Sequence, residues 1–365
     1  MFRAGNDHIT KQLMGQRIFQ IEFRAATRQI GARVKSLLTC FVLAVSCFCA
    51  DLNVYGSTSR SDDSSQISGR EYVRLADWAK ANGFQFRWLK RQQTFQLSNA
   101  SAKITCAVDS REAQVNGVGV WLSFPVAQRE GAPCLAKLDL QTTLTPLLSP
   151  PKNKPGATLK SICLDPGHGG KDPGNRVGPY QEKKYTLLLA QEVRQQLTRA
   201  GLNVALTRST DTFVDLPVRP ELAKRRNADL FVSLHFNSAQ TSRTVVRGAE
   251  VYCLTPAGAS STNDRGERGG AGWSQGNRYN DKSLLLAYEV QKALTRSLTV
   301  EDRGVRRARF EVLREATMPA VLIEAGFMSH PEEGKRIFDT GYRRQIARAI
   351  VDGLLAYKRS VGQGG

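Results

Sequence analysis

Four side chains in this sequence could together carry out metal-assisted hydrolysis: His168, Glu182, His235 and Glu324. Two imidazoles and one carboxylate are a known ligand set of catalytic zinc, and they leave one position for water or substrate. Zinc lowers the pKa of its bound water toward about 7 and polarises a carbonyl group. A further carboxylate must then move a proton from that water to a leaving amine. The residue types therefore indicate zinc-dependent hydrolysis of an amide, with the two histidines and Glu182 as ligands and Glu324 as the general base and acid.

Each of these residues also has an ordinary structural explanation when it is taken alone. A histidine between glycines is often only a satisfied polar residue. A glutamate at the start of a helix often does no more than complement the helix dipole, which is worth about 0.3–1 kcal/mol. The catalytic interpretation therefore depends on whether the fold brings the four side chains together.

The elements around the four residues predict that they converge. Three of the four follow short apolar runs that are typical of buried strands, and Glu182 stands where a helical pattern begins. Such alternation of strands and helices predicts an α/β fold, with a mostly parallel sheet and helices on both faces. Parallel strands end at one edge of the sheet, where the following helices begin, so we expect the four side chains at that edge. The predicted strands cover residues 162–164, 202–208, 230–234, 248–254 and 320–323, a short extended segment covers 310–313, and the predicted helices cover 183–200, 215–227, 283–299 and 331–357.

Nearly all of residues 160–357 resemble the zinc-dependent N-acetylmuramoyl-L-alanine amidases of the bacterial cell wall. The resemblance is carried by LDPGHGGKDPG around His168, QEKKYTL around Glu182, LTRSTDTFVDLPVR, ADLFVSLHFNS around His235, and VLREATMPAVLIEAGFMS around Glu324. It implies one Zn²⁺ ion per chain, held by the two histidines and Glu182, with Glu324 as the catalytic acid and base. The implied reaction is hydrolysis of the amide between N-acetylmuramic acid and L-alanine in peptidoglycan, in which zinc-bound water attacks.

Three further polar residues are candidates for supporting the metal site or binding substrate: Asp165, Arg219 and Asn237. A turn-capping aspartate and a helix salt-bridge arginine would explain the first two equally well. Residues 255–282 lack an apolar stripe and are predicted to be a long mobile loop. Some members of the resembling family carry a helix at this point, which covers the zinc until a partner protein displaces it. No such helix is expected here, so the site is expected to be open without an activator protein.

Two other functions are compatible with the same residues. A zinc carboxypeptidase acting on the stem peptide would use the same ligand types, and only its products would distinguish it from an amidase. The second alternative is a non-catalytic cell-wall-binding protein with a degenerate site. The complete set of two histidines and two glutamates argues against that alternative.

The chain is strongly basic, which narrows the class of partner. Its 365 residues contain 52 lysines and arginines against 33 aspartates and glutamates, a formal net charge of +19. Such a field favours polyanionic surroundings, including anionic wall material. The sequence has no basic helix with interleaved aromatics, no RNA-binding strand signature and no zinc-finger spacing. Nucleic acid is therefore not expected as a partner.

Residues 1–50 are predicted to be a signal peptide. An apolar run at 36–50 follows Arg33 and Lys35, and it is shorter than the roughly 20 residues that a membrane span needs. A retained anchor helix and a lipid-modified Cys47 are the alternatives. We therefore expect export to the periplasm or cell envelope, with no membrane span after the signal is removed.

The rest of the chain is predicted to contain two domains and their connections. Clusters of glycine, serine and proline mark the connecting segments. The predicted order is a flexible spacer at 51–68, a small accessory domain at 69–148, a proline-rich linker at 149–158, the catalytic domain at 159–358 and a disordered tail at 359–365.

Residues 69–148 resemble the N-terminal module of copper amine oxidases, through REYVRLADWAKANG, a Phe-Arg-Trp strand and AQVNG. The resemblance implies a small α+β or β-rich domain without metal, and we expect it to act as a spacer or wall-binding module. A helix is predicted at 72–82 and a hairpin turn at Asn116-Gly117. Whether Cys106 and Cys134 form a disulfide is left open.

Overall fold

The computed structural model describes residues 64–262 and 272–362. The predicted signal peptide lies outside the described residues. Among the described helices, none combines the length and the apolar character that a membrane span needs. The strands are β1 (Ser64–Ile67), β2 (Arg70–Arg74), β3 (Gln85–Lys90), β4 (Thr94–Ser98), β5 (Lys103–Ala107), β6 (Glu112–Val115), β7 (Val118–Trp121), β8 (Ala127–Arg129), β9 (Ala132–Ala136), β10 (Ser161–Pro166), β11 (Arg176–Val177), β12 (Tyr180–Gln181), β13 (Asn203–Leu206), β14 (Leu230–Asn237), β15 (Ala249–Leu254), β16 (Asp302–Ala308) and β17 (Ala320–Phe327). The helices are α1 (Leu75–Ala81), α2 (Lys137–Asp139), α3 (Thr145–Leu148), α4 (Glu182–Arg199), α5 (Val218–Arg225), α6 (Asn280–Ser297), α7 (Glu311–Arg314), α8 (Pro331–Phe338) and α9 (Thr340–Val361), with a π-helical turn at Leu140–Leu144 and a 3₁₀-helix at Gln275–Tyr279.

One sheet of eleven strands runs through the described structure, in the order β13-β10-β14-β17-β15-β16-β7-β6-β5-β4-β3. Among the six strands that follow residue 160 in this sheet, four of the five pairings are parallel, and β15 pairs with β17 antiparallel. Parallel neighbours need long crossovers, which α4 and α5 supply between β10, β13 and β14. The predicted α/β class with a mostly parallel sheet is confirmed.

Helices cover both faces of this part of the sheet. On one face, α4, α6 and α9 contribute Leu189, Leu284 and Ile346 to a hydrophobic cluster with the strands. On the other face, α5 and α7 contribute Ala223 and Val312 to a second cluster. Burial on both faces explains why the strands here are continuous apolar runs rather than alternating patterns.

The front module, residues 64–148, is built on an antiparallel meander of β3 to β7. Asn116 and Gly117 form the two-residue turn between β6 and β7, with φ angles of +51° and +82°. A tight hairpin turn of the favoured type needs positive φ at both positions, so the hairpin prediction is confirmed. The predicted start of the helix at residue 72 is wrong. Residues 70–74 form β2, which pairs with β9, and the helix begins at Leu75.

The front module continues the sheet of the rest of the chain. β7 pairs with β16 in parallel, with Val120 opposite Val305. The fully buried Arg307 of β16 reaches into the front module, where its Nη2 donates to the carbonyl oxygen of Thr142 at 2.7 Å. Residues 149–158 have no regular secondary structure, as a linker would. The domain boundaries stay a prediction. The front module is joined to the rest of the chain by this segment, and also by the pairing of β7 with β16 and by the buried Arg307.

Several predicted elements in the second half of the chain are wrong. Residues 310–313 are not extended, because Glu311–Arg314 forms the helical turn α7. Residues 331–357 form two helices rather than one, and Asp339 lies between them. Its carboxylate caps the start of α9 by accepting a hydrogen bond from the Tyr342 backbone nitrogen. Residues 275–282, predicted as part of a loop, belong to the 3₁₀-helix and to α6, whereas 263–271 lie outside the described residues.

Parts of the predicted flexible spacer and of the predicted disordered tail have regular secondary structure. Residues 64–67 of the spacer form β1, which pairs with β2. The helix α9 continues to Val361, so residues 359–361 of the tail are helical. Cys106 and Cys134 are both free and buried, so they form no disulfide in this structure.

Candidate metal centre and catalytic carboxylate

His168 stands in a tight turn after β10 ends. Its φ is +62°, in the left-handed region that a residue other than glycine seldom adopts. Gly167 has no room for a side chain, because a Cβ there would lie 2.2 Å from the imidazole of His235. Arg208 donates to the carbonyl oxygens of Pro166 and Gly167, at 2.9 Å and 2.8 Å. The hydrogen bonds of Arg208 therefore hold the turn in place, and the turn directs the ring of His168 toward His235.

His168, Glu182 and His235 come together where β10 and β14 end and α4 begins. Their potential donor atoms lie within 4.8 Å of one another. His168 Nε2 lies 3.1 Å from Glu182 Oε2, and His235 Nδ1 lies 2.9 Å from Glu182 Oε1. Glu182 is the first residue of α4 and is 1% exposed. The structure thus brings the three predicted ligands into one cluster.

Three neighbouring residues hold this cluster in place. Asp172 Oδ2 lies 2.7 Å from His168 Nδ1, which leaves Nε2 of that ring to face the other two donors. Both the backbone and the side-chain nitrogen of Asn175 donate to Glu182 Oε2 at 2.9 Å, and the Phe236 backbone nitrogen donates to Oε1 at 3.1 Å. Such outer contacts orient metal ligands. Sequence reasoning missed Asp172 and Asn175, although the second Asp-Pro-Gly of LDPGHGGKDPGN marks their position.

The donor set fits a zinc ion by its chemistry. Burial disfavours the charged ring of His168, but the hydrogen bonds and charges of Glu182 and Asp172 outweigh it and raise the pKa of His168. Burial likewise acts to raise the pKa of Glu182, but its contacts with His168 and His235 outweigh burial and lower the pKa of Glu182. Glu182 is therefore an ionised carboxylate between two imidazoles. Two histidines and one carboxylate are a three-ligand set of catalytic zinc sites.

Glu324 lies on β17, directly opposite His235 of β14 in the strand register. Its Oε2 is buried and has no hydrogen-bond partner among the described residues. Burial raises the pKa of Glu324 well above its ordinary value, and the charges of Glu182 and Glu250 raise it further. A buried carboxylate oxygen without a partner is unfavourable for the fold. An acid with a perturbed pKa in a cavity is a candidate for proton transfer.

Asp165 and Arg219 form a buried ion pair beneath the turn of His168. Asp165 Oδ1 lies 2.9 Å from Arg219 Nη1, and it also accepts a hydrogen bond from the hydroxyl of Thr207. Asp165 Oδ2 accepts from Ser233 Oγ at 2.7 Å. Arg219 Nη2 donates to the carbonyl oxygen of His168 at 3.0 Å. The hydrogen bonds of this pair therefore go to strand ends and to the turn that carries His168.

Asn237, the third of the predicted supporting residues, contacts a different carboxylate. Its Nδ2 donates to Glu250 Oε1 at 2.8 Å. Glu250 Oε2 also lies 2.9 Å from the Nε atoms of both Arg303 and Arg306. Glu250 is 2% exposed and is the register partner of Glu324 on the adjacent strand β15. Sequence reasoning missed Glu250, because nothing in the motif order indicates that β15 pairs antiparallel with β17.

A cavity of about 390 Å³ opens over these groups. Its polar lining includes the three clustered donors, Glu324 and Asp172. Its apolar lining consists of Leu216, Phe310, Val312 and Leu322. Such a combination of apolar lining and convergent polar groups is typical of a substrate site.

Comparison with known proteins identifies relatives of the region that carries this cavity. The family model of the N-acetylmuramoyl-L-alanine amidases matches residues 162–356. The chain is 38% identical to the N-acetylmuramoyl-L-alanine amidase AmiC of Neisseria meningitidis over 218 residues, which are 54% of this chain and 52% of that protein. It is 33% identical to AmiA of Salmonella typhimurium over 235 residues, 57% of this chain and 80% of that protein. A solved structure of AmiC2 of Nostoc punctiforme matches 56% of this chain and 99% of its own, at 34% identity and a TM-score of 0.47.

The family-model match, residues 162–356, lies within the α/β part of the molecule. The chain spans about half the length of the meningococcal relative. The matched residues 162–356 include all four of the side chains that converge on the cavity. Because the family model matches more than half of this chain, the chain belongs to the family of N-acetylmuramoyl-L-alanine amidases.

Proposed function

We propose that this protein hydrolyses the amide between N-acetylmuramic acid and L-alanine in peptidoglycan. The observation that carries the proposal is the convergence of His168, Glu182 and His235 beside Glu324, whose Oε2 has no partner among the described residues. Membership of the amidase family supplies the substrate class. The apolar side chains that line the cavity suit the small methyl groups of the lactyl and alanyl units on either side of the amide.

We further propose that His168, Glu182 and His235 hold one zinc ion. Zinc bound by these residues supplies a Lewis acid for the amide carbonyl and lowers the pKa of water toward about 7. Asp172 fixes the orientation of the His168 ring, because its Oδ2 lies 2.7 Å from Nδ1 of that ring. Asn175 donates to Glu182 and thereby fixes the position of that carboxylate.

In this proposal Glu324 transfers the proton. Its carboxylate accepts a proton from the attacking water and then donates it to the nitrogen of the leaving alanine. Burial and the nearby charges of Glu182 and Glu250 raise the pKa of Glu324. A raised pKa makes its carboxylate a stronger base and helps it to retain the proton until the amine leaves. Asp165 and Arg219 act as positioning residues, since their hydrogen bonds hold the turn of His168.

We infer that the cavity is accessible without an activator protein. In the described parts of 255–282, none of the residues lines the cavity.

Family membership also supports a location outside the cytoplasm, and we propose the periplasm or cell envelope, with peptidoglycan rather than nucleic acid as the partner. A zinc-free or partner-dependent enzyme would contradict these inferences.

The decisive experiment measures metal content and reaction products with the full chain. Purified protein should contain about one zinc ion per chain by elemental analysis. Incubation with peptidoglycan should release intact stem peptides with a free L-alanine amine, identified by mass spectrometry, without any added protein. Release of only the terminal residue of the stem peptide would instead indicate a carboxypeptidase. Absence of both zinc and products would indicate a non-catalytic wall-binding protein.

A further inference from the structure

The front module holds residues 256–262, the segment that follows β15. Arg111 of the front module donates through Nη2 to the carbonyl oxygen of Ser260 at 3.1 Å and through Nη1 to that of Ser261 at 3.2 Å. Its Nε donates to the carbonyl oxygen of Leu122 at 2.9 Å, so the guanidinium is also fixed within its own module. One arginine side chain thus joins the front module to the backbone of this segment.

The front module also packs against the same segment through an apolar contact. Ala259 is fully buried in a hydrophobic cluster, and among the described residues all other members of that cluster belong to the front module. The largest of them are Tyr72 and Phe124. The end of the segment is held against β16, since the backbone nitrogen of Thr262 donates to the carbonyl oxygen of Arg307 at 2.8 Å.

The same segment contacts the residues that lead into α7. Arg309, the first residue after β16, donates through Nη2 to the carbonyl oxygens of Pro256 and Ala259. The next residue, Phe310, directly precedes α7. Phe310 and Val312 belong to the apolar lining of the cavity over the clustered donors. Arg309 therefore connects the contacts of the front module to the lining of the candidate active site.

A second set of contacts joins the front module to the start of β16. Trp121 Nε1 donates to the carbonyl oxygen of Arg303 at 3.1 Å, and the guanidinium of Arg306 lies 4.3 Å from the centroid of the Trp121 ring. Both arginines are paired with Glu250, the register partner of Glu324. The front module thus contacts β16 near its start and, through residues 256–262, just after its end.

We propose that the front module positions part of the candidate active site, with Arg111 as the positioning residue. Arg111 holds residues 256–262, and these hold Arg309. Arg309 in turn fixes the position of Phe310 and Val312 in the cavity lining. A lining that is already ordered loses less freedom when substrate binds, and binding is stronger for that reason. The inference rests on the proposed function, since it assigns the effect to substrate binding in the same cavity.

Steady-state kinetics of the full-chain variant Arg111→Met test this inference. Methionine keeps an apolar stem but cannot donate a hydrogen bond. KM for a soluble N-acetylmuramoyl peptide should rise about 3- to 10-fold. The value of kcat should change by less than about 2-fold and zinc content should not change, because none of the clustered donors is altered.

The matched control is Arg87→Met, in an exposed arginine of the same module. Arg87 lies on β3, the last strand of the sheet on that side, and its Nη2 contacts Gln96. This replacement should leave KM unchanged. An equal rise of KM in the two variants would overturn the inference, because any weakening of the front module would then have the same effect.

Hydrogen exchange separates local positioning from a general loss of stability, and it requires no catalysis. The backbone nitrogens of Leu313, Arg314 and Glu315 donate the hydrogen bonds of α7. In Arg111→Met these amides should exchange about 5-fold faster, whereas the amides of α4 should be unaffected. Ala259→Gly removes one methyl group from the buried cluster, and it should give the same local change even if Arg111→Met does not fold. Unchanged exchange in α7, or a uniform increase along the chain, would contradict the inference.

A double variant tests whether Arg111 and Arg309 act through the same segment. Arg309→Met removes the contact between residues 256–262 and the start of α7, and it should raise KM by a similar factor. The double variant should then raise KM no further than Arg309→Met alone. Increases that multiply would mean independent effects and would refute the proposed connection. Absence of amidase products from the wild-type chain would remove the proposed function, whereas faster exchange of α7 in Arg111→Met would still support the positioning role.

Discussion

Asp165 and Glu324 are carboxylates on β10 and β17, on either side of β14, and their surroundings differ sharply. Asp165 is fully buried, and both of its oxygens accept hydrogen bonds, from Thr207, Ser233 and the guanidinium of Arg219. Glu324 is partly exposed as a residue, but its Oε2 is buried and has no partner among the described residues. Near the same edge of one sheet, the described residues thus supply hydrogen bonds to both oxygens of Asp165 but none to Oε2 of Glu324.

The difference indicates that Asp165 supports the fold, whereas Glu324 is suited to take part in catalysis. A buried charge with a cationic partner and a full set of hydrogen bonds is tolerated, and removal of its partner is what destabilises the fold. A buried carboxylate oxygen without hydrogen bonds lowers stability and raises the pKa of the group. Replacing Asp165 should therefore affect mainly stability, and replacing Glu324 should affect mainly turnover.

The largest expected effect is on the turnover of Glu324→Gln. Because glutamine cannot accept and return a proton, kcat should fall by about 10²–10⁴-fold, the usual contribution of a general acid and base. Zinc content should stay at the wild-type level, since Glu324 is not one of the clustered donors. The measurement is the rate of stem-peptide release, together with elemental analysis of the same protein.

The matched control for this variant is Glu311→Gln. Glu311 is a second glutamate that lines the same cavity, but it lies on α7 and is not one of the clustered donors. Its replacement should leave turnover close to that of the wild type. Equal losses in the two variants would mean that any change of charge in the cavity is harmful, and the distinction between Glu324 and other carboxylates would fail.

The next effect is the loss of stability in Asp165→Asn. This change leaves the buried guanidinium of Arg219 without its ionic partner, and such a loss typically costs about 3–5 kcal/mol. The control is Asp211→Asn, since the side chain of Asp211 is 56% exposed where it pairs with Lys183, and ion pairs open to solvent contribute at most about 1 kcal/mol. The free energy of unfolding in denaturant compares the two variants. A difference of less than about 1 kcal/mol between them would show that hydrogen bonds alone, without the charge of Asp165, support the turn.

The comparison of these two acids also shows what the sequence could and could not predict. The apolar runs before His168, His235 and Glu324 predicted strands, and parallel strands bring their carboxyl ends to one edge. That reasoning placed the three residues and Glu182 near one another, as the structure does. Sequence alone could not tell whether Asp165 is a cap or part of an ion pair, because its partners Thr207, Ser233 and Arg219 come from three separate segments.

The remaining differences come from contacts between distant segments. β16 contains three arginines among its seven residues, so its pattern does not predict a buried strand. It is stabilised by pairing with β15 on one side and with β7 of the front module on the other. The front module was therefore expected to be a separate unit behind a linker, and its continuity with the large sheet was not predicted. Glu250 was missed for the same reason, since its position beside Glu324 depends on strand order.

A smaller effect is expected for Asp172→Asn, which tests how the clustered donors are oriented. Loss of the carboxylate behind His168 Nδ1 should weaken zinc binding by about 10–100-fold, as is usual for such outer contacts. Competition with a chelator of known affinity measures this change directly. Asp211→Asn again serves as the control, because Asp211 contacts the neighbouring Gly170 nitrogen but no imidazole. Equal zinc affinity in both variants would show that the tight turn alone orients His168.

The smallest effect is a gain of stability in Glu324→Gln, measured in metal-free protein. The folded-state pKa of Glu324 lies above its ordinary value, because of burial and the charges of Glu182 and Glu250. The folded state therefore binds more protons than the unfolded state between the two pKa values, and the wild type loses stability as pH rises above about 4. Glutamine does not titrate, so the variant should match the wild type at about pH 4 and unfold at a temperature about 2–4 °C higher at about pH 8. Because Asp165 is fully hydrogen-bonded, Asp165→Asn should show no such gain at any pH. A Glu324→Gln variant that is less stable than the wild type at about pH 8 would mean that Glu324 has a stabilising partner and resembles Asp165 after all.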